Sequence, residues 1–139
     1  MSVKKPVKIN PHDVEPLALH QRVNYKLVDP TTIGSEHLTF GMVIVEPKGT
    51  CEPGHAHEDK EEIFFCVSGK GVVIVGEDRE EWEIGPMDAV FLPPHVYHGL
   101  KNPHNTPLQV LWIMSPAGWV FDENPEWKEN ALMGEALDE

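Results

Sequence analysis

The sequence predicts an all-β sandwich or barrel, and three observations carry the prediction. Six or more short stretches rich in β-branched and aromatic residues recur at spacings of roughly 8–12 residues, the rhythm of such folds. The 13 prolines and 11 glycines divide the chain into many short elements and argue against a helical bundle. Helix punctuation is confined to the tail, "NPEWKENALMGEALDE".

Residues 1–34 read as an N-terminal arm of the same domain. It has three prolines before Pro30 and one alternating piece, "VNYKLV", that suits an edge strand. Residues 35–139 read as the barrel and its helical tail. "LTFGMVIVE" is the first barrel strand, β-branched and with no helix cap ahead of it. "EEIFFCV" and "GVVIVG" follow as two strands joined by the tight turn "SGKG". The polar turn "GEDREE" leads into "WEI", and "GPMD" turns into "AVFL". "PPHVYHGLKN" then reads as turn and loop, continuing through "KNPHNTP" to a last strand, "LQVLWIM". In the tail Asn124 is placed to cap a helix, Pro125 suits its first turn, and Trp127, Ala131 and Leu132 share one face. No repeat or linker divides the chain.

Composition narrows the function classes. A chain of 139 residues and 15.6 kDa fits one domain with one core. Its net charge of −12 argues against nucleic acid, which needs clustered Lys and Arg, and gives no support for anionic membranes. No window approaches 18 apolar residues, so no segment is expected to span a membrane. The basic start "MSVKKPVKINPHDVEP" is not followed by an apolar run, so no signal peptide is read. Two cysteines, Cys51 and Cys66, are too few for a disulfide-stapled domain. The expectation is a cytoplasmic protein with reduced thiols.

The histidines carry the chemistry. With 8 of them in the chain, random placement gives about half of one His-x-His pair, so "HAH" at 55–57 means little alone. Strand geometry gives it weight. Residues two apart on a strand share a face, about 6.5–7 Å apart, so His55 and His57 can converge on one ion while Ala56 faces away. A return strand beginning at Glu61 or Glu62 can set a carboxylate beside them. His98, far along the chain, is the candidate fourth donor. Three imidazoles and a carboxylate suit one divalent first-row transition metal ion: Fe, Mn, Ni, Co, Cu or Zn. Four protein ligands on a six-coordinate ion leave positions for water, oxygen or substrate.

Residues 49–69 resemble the first motif of the cupin family. Gly49, "TCEPG", His55, Ala56, His57, "EDKE", Glu62, "IFFCVS" and Gly69 fill every fixed position. Counting back from Gly69 selects Glu62 over Glu61 as the ligand. The second motif is matched by Asp88, Pro93, His98 and Asn102, with two departures. Met87 stands where a Gly is usual before Asp88, and His95 replaces the turn Gly after "PP", which makes His95 a candidate supporting or replacement donor. The resemblance implies a small single-domain cupin, a jelly-roll β-barrel with the ion in its mouth. It also implies a homodimer formed through the outer strands and termini.

Other residues have plainer readings. His12, His20, His37 and His104 read as solvated surface groups. Cys66 shares parity with Glu62 and Phe64 and reads as a small core residue. Cys51 has no basic neighbour to make it reactive. Phe40, Met42, Phe64, Phe91, Tyr97 and Trp112 are candidates for the cavity wall. "GWVFDENPEW" is placed to cover the barrel mouth or a partner subunit. The resulting expectation is a metal-dependent enzyme acting on a small-molecule substrate, with Glu62 and Tyr97 as catalytic candidates, Tyr97 as proton donor. Dioxygenase-like chemistry ranks first. Isomerase, decarboxylase or lyase chemistry and a non-catalytic metal- or sugar-binding cupin are the alternatives.

Overall fold

The computed structural model describes residues 5–51 and 54–133. Among these residues nine strands run antiparallel: β1 (Leu17–Leu19), β2 (Arg22–Val28), β3 (Thr39–Val45), β4 (Glu61–Ser68), β5 (Gly71–Val75), β6 (Glu80–Ile84), β7 (Ala89–Leu92), β8 (His98–Lys101) and β9 (Leu108–Ser115). Two helices follow, α1 (Val120–Glu123) and α2 (Pro125–Met133). A six-stranded sheet in the order β1-β2-β3-β9-β4-β7 packs on a three-stranded sheet in the order β6-β5-β8. This is the all-β jelly-roll architecture that the strand rhythm predicts.

Period-two alternation builds the core. On β9, Leu108, Val110, Trp112 and Met114 are buried while Gln109, Leu111 and Ile113 are half-exposed. On β4, Glu62, Phe64 and Cys66 point inward and Glu61 and Ile63 outward. Val45, Val73, Leu92, Leu108 and Val110 lie between the sheets, each burial contributing roughly 1.5–3 kcal/mol. Gly41 faces Trp112 across β3 and β9, and a Cβ there would overlap the indole ring. The missing side chain makes room for Trp112.

The β4–β5 hairpin fixes the register of Glu62. Gly69 has φ +80°, and a Cβ on it would overlap the carbonyl oxygen of Pro107. A positive φ at the first loop position is the turn that a glycine permits most readily.

Four details differ from the sequence reading. The arm contains two strands; β1 is the edge, and β2 lies inside the sheet between β1 and β3. β8 forms where a loop was expected, because β5 pairs with it from Val72–Lys101 to Val75–His98. Asn124 does not cap α2 through its side chain; its Nδ2 donates back to the Val120 carbonyl at 3.1 Å, ending α1. On α2, Ala131 is buried but Leu132 is exposed, so the two do not share an environment. The helix expected beyond residue 133 lies outside the described residues.

Candidate metal centre

Four side chains from three separated stretches meet at one end of the barrel. The ligand atoms of His55, His57, Glu62 and His98 all lie within 4.8 Å of one another. Among the described residues no other group of this kind occurs. Glu62 is held by strand alternation near the start of β4. His55 and His98 are tied to each other through their backbones: the His55 N–H donates to the His98 carbonyl at 2.9 Å, and the His98 N–H to the His55 carbonyl at 2.8 Å. The His95 N–H donates to the His57 carbonyl at 2.7 Å. Backbone bonds thus join the first histidine pair to the later turn.

The electrostatics fit a cation. Burial by itself would raise the Glu62 carboxyl, but polar contacts with His57 and His98 beside it, with the His55 ring nearby, outweigh burial and bring it down from 4.5 to about 2. Burial, reinforced by His98 and His57 and in part by Arg22, keeps His55 well below its usual range and so neutral, against the pull of Glu62. His98 gives the clearest test. Its Nδ1 lies 3.1 Å from the Val96 carbonyl, which only accepts, so the ring proton sits on Nδ1. Its Nε2 is buried 3.0 Å from Glu62 Oε1 without the alignment of a hydrogen bond. A neutral ring would set a lone pair against an ionised carboxylate, an arrangement that a cation between them relieves. His57 Nε2 is also 3.0 Å from Oε1, the spacing of adjacent donors around an ion with bonds near 2.1 Å, about 3.0 Å. The donor set therefore fits a first-row metal ion.

A cavity of about 70 Å³ opens beside His55, Glu62 and His98. Its walls are mostly apolar, with Phe64, Trp112 and Met114 from the large sheet and Trp119, Val120 and Phe121 from the segment after β9. Trp112 and Trp119 stack at 5.6 Å, and Phe121 meets Trp119 edge-on at 5.2 Å. Trp127 of α2 stacks on His55 at 5.9 Å. Lys60, buried, donates to the Ala117 carbonyl at 3.2 Å and holds this segment to the barrel. The C-terminal stretch thus covers the barrel mouth, one of the two positions its sequence allowed.

Several expected residues stand elsewhere. Tyr97 does not line the cavity; its ring packs on Gly54 and lies 3.3 Å under the Arg79 guanidinium. It neighbours the inward His98 in sequence and so points the other way. His95 is exposed and outside the ligand cluster, with φ +70°. Met87, the other departure from the motif, has φ +77°, so both residues adopt a turn that glycine usually supplies. Phe40, Met42 and Phe91 lie on the outer face of the large sheet, and only Phe64 and Trp112 of the six wall candidates reach the cavity. Cys66 is a core residue; Cys51 lines the cavity, and neither forms a disulfide.

The sequence reading missed two polar wall residues, Arg22 and Asn24 of β2. Both are buried. Their signal was present in "RVNYKLV", where two polar residues alternate with apolar ones on a strand thought to be an edge.

Comparison with known proteins agrees with this site. The chain is 31% identical over 72 residues to an uncharacterised protein of Methanocaldococcus jannaschii, covering 52% of this chain and 56% of that one. It is 36% identical over 62 residues to a glucose-6-phosphate isomerase of Thermococcus kodakarensis, covering 42% of this chain and 33% of that one. The matched part thus spans about half or less of these curated relatives. The polyketide cyclase RemF of Streptomyces resistomycificus superposes with a TM-score of 0.69 at 19% identity, over 92% of this chain and 99% of that one. Residues 41–114, from β3 to the end of the core of β9, match the family model for the cupin domain. The chain belongs to the cupin family.

Proposed function

We propose that this chain is a metal-dependent enzyme that oxidises a small, mostly apolar organic molecule with dioxygen. The observation that carries this reading is a mostly apolar pocket walled by Phe64, Trp112, Met114, Trp119 and Phe121, directly beside three of the metal-binding side chains. Such walls receive dioxygen and an apolar substrate together and exclude water. A bound first-row ion supplies a redox centre or a Lewis acid. The chain's own residues do the rest. His55, His57, Glu62 and His98 would hold the ion, the aromatic walls orient the substrate, and Glu62 places the site's one carboxylate at the cavity wall. Tyr97, expected as a proton donor, is not among the residues lining the cavity but packs on Gly54, which is. The test is oxygen uptake with iron(II)-, manganese-, nickel- or copper-loaded protein against a panel of small enols and aromatics. Uptake lost in His57→Ala, with both atoms of labelled dioxygen entering product, supports the reading. Turnover that continues without oxygen overturns it.

A second reading, a metal-dependent isomerase, is favoured by the stretch shared with a glucose-6-phosphate isomerase. It is the reading that oxygen-independent turnover would select. Binding without turnover on any substrate would select a non-catalytic cupin.

We also infer a homodimer. On the outer face of the large sheet Ile63, Val67 and Phe91 are exposed, and Phe40, Ile44 and Leu111 lie among them. Two chains of net charge −12 can approach most easily through a mostly apolar surface, on which Glu61 stands at the end of β4. Two cysteines outside any disulfide are in keeping with a reducing compartment such as the cytoplasm, and no described helix is long and apolar enough to cross a membrane.

A further inference from the structure

We propose that the substrate is a short aliphatic compound whose apolar end passes Val120 into the inner cavity while its polar end stays in an outer cleft. Val120 then sets how large that apolar end can be. This rests on the catalytic reading above and adds a substrate class to it.

The inner cavity holds about 70 Å³, less than half of the roughly 150 Å³ with which an apolar cavity takes up benzene. An aromatic ring therefore does not fit beside His55, Glu62 and His98, whereas a chain of about three carbons does, in the same proportion. The rest of a larger molecule needs room outside. That room is a cleft of about 500 Å³ lined by His57, Lys60, His95, Glu123, Asn124 and Trp127. His57 belongs to the metal centre and Trp127 stacks on His55, so the cleft lies against the outer side of the site. Its charged and polar walls suit a polar end, as the inner walls suit an apolar one.

Among the described residues Val120 alone lines both spaces. Its carbonyl accepts from the Asn124 N–H at 2.8 Å and from Asn124 Nδ2 at 3.1 Å. With the backbone pinned in this way, two methyl groups set the width of the passage. Another cleft, about 300 Å³, meets the cavity wall at Asn24 and Trp119. That wall is closed by interlocked groups: Trp119 stacks on Trp112 at 5.6 Å, and Trp112 Nε1 donates to Asn24 Oδ1 at 3.0 Å. No side chain of the metal centre lines this second cleft. The geometry favours the way past Val120.

The probes are the primary alcohols from methanol to hexanol and benzyl alcohol, followed by NMR in zinc-loaded protein, where no oxygen is consumed. The Met114 methyl reports the cavity and the Trp127 indole N–H reports the cleft. Affinity should rise about fourfold per methylene from methanol to propanol, with pentanol within threefold of propanol. Both signals should move with one midpoint, and benzyl alcohol should leave Met114 unshifted. Val120→Ala should admit benzyl alcohol to Met114 and tighten pentanol at least fourfold. Val120→Ile should weaken propanol at least threefold with metal content unchanged. If Val120→Ala does not fold, as read by circular dichroism, Val120→Ile decides alone. Benzyl alcohol binding to the wild type as tightly as propanol, a response at Met114 without one at Trp127, or an unchanged series in a folded variant would overturn the proposal. So would entry of benzyl alcohol in Trp119→Leu but not in Val120→Ala. None of these readouts needs turnover. Absence of oxygen uptake with the size limit intact would count against the catalytic reading alone, and uptake driven by an aromatic substrate would keep that reading and overturn this one.

Discussion

Trp127 of α2 stacks on His55, the two rings 5.9 Å apart and inclined by 26°. A metal-site side chain is thus covered by the C-terminal helix, which otherwise reaches the barrel through the buried Ala131, whose carbonyl accepts from the His20 N–H at 3.0 Å. Stacked aromatic pairs contribute about 0.5–1.5 kcal/mol beyond burial. Trp127→Ala should therefore release metal to a competing chelator about 3- to 10-fold faster. An unchanged release rate would mean the stack does not restrain His55.

Glu62 and Glu61 are adjacent in sequence and opposite in orientation. Glu62→Gln should lower metal affinity by about 100-fold or more, since it removes the only anionic donor of the cluster. Glu61→Gln should leave affinity unchanged, because Glu61 points outward. Metal content after dialysis against graded chelator distinguishes the two. Equal losses in both variants would remove Glu62 from the ligand set.

Acid should destabilise the metal-free protein in two stages. Both His55 and Glu62 have folded values below their unfolded ones, so the unfolded chain binds more protons at low pH. The His55 contribution is complete above its unfolded value of 6.5 and declines as pH falls below it. The Glu62 contribution is complete above 4.5 and is lost as pH falls toward about 2. Urea midpoints measured from pH 8 to pH 3 should hold above about pH 7 and fall from there to pH 3. A midpoint that rises between pH 7 and pH 5 would contradict the burial of neutral His55.

Much of this was legible from the chain, and what was not has a physical cause. β3, β4, β5 and β9 announce themselves through β-branched runs. β8 does not: "HGLK" has no alternation of its own and becomes a strand only because β5 supplies the pairing. The ligands were legible because Gly69 fixes the register of β4. The cavity wall was less so. Parity was assigned from Phe40 and Met42, the bulky residues of β3, whereas Gly41, Val43 and Val45 face inward and leave the space that Trp112 occupies. Tyr97 was drawn toward the site by its neighbour in sequence, and a strand sends neighbours to opposite faces. Arg22 and Asn24 escaped because an inward position on β2 depends on β1 covering the edge.

His95 and Met87 occupy left-handed turns at φ +70° and +77°, which cost a side-chain-bearing residue about 1–2 kcal/mol. Glycine avoids that cost but gives the unfolded chain more freedom, worth about 0.5–1 kcal/mol. His95→Gly and Met87→Gly should each stabilise the protein by about 0.5–1 kcal/mol, read as a higher urea midpoint. Destabilisation in both would show that these side chains make contacts beyond their turns.

On the outer face of the large sheet the edge strand β7 carries Phe91, 56% exposed in one chain. Phe91→Glu should convert a dimer to a monomer in light scattering at micromolar concentration, with metal content unchanged. A wild-type chain that is already monomeric there would remove this face as an interface.

His55 and His98 hold each other's backbone in a reciprocal pair at 2.9 and 2.8 Å. Assembly of the pocket is therefore separate from its loading: the scaffold stands ready before any ion arrives and persists after one leaves. An ion carried by such a scaffold is expected to exchange without unfolding of the barrel.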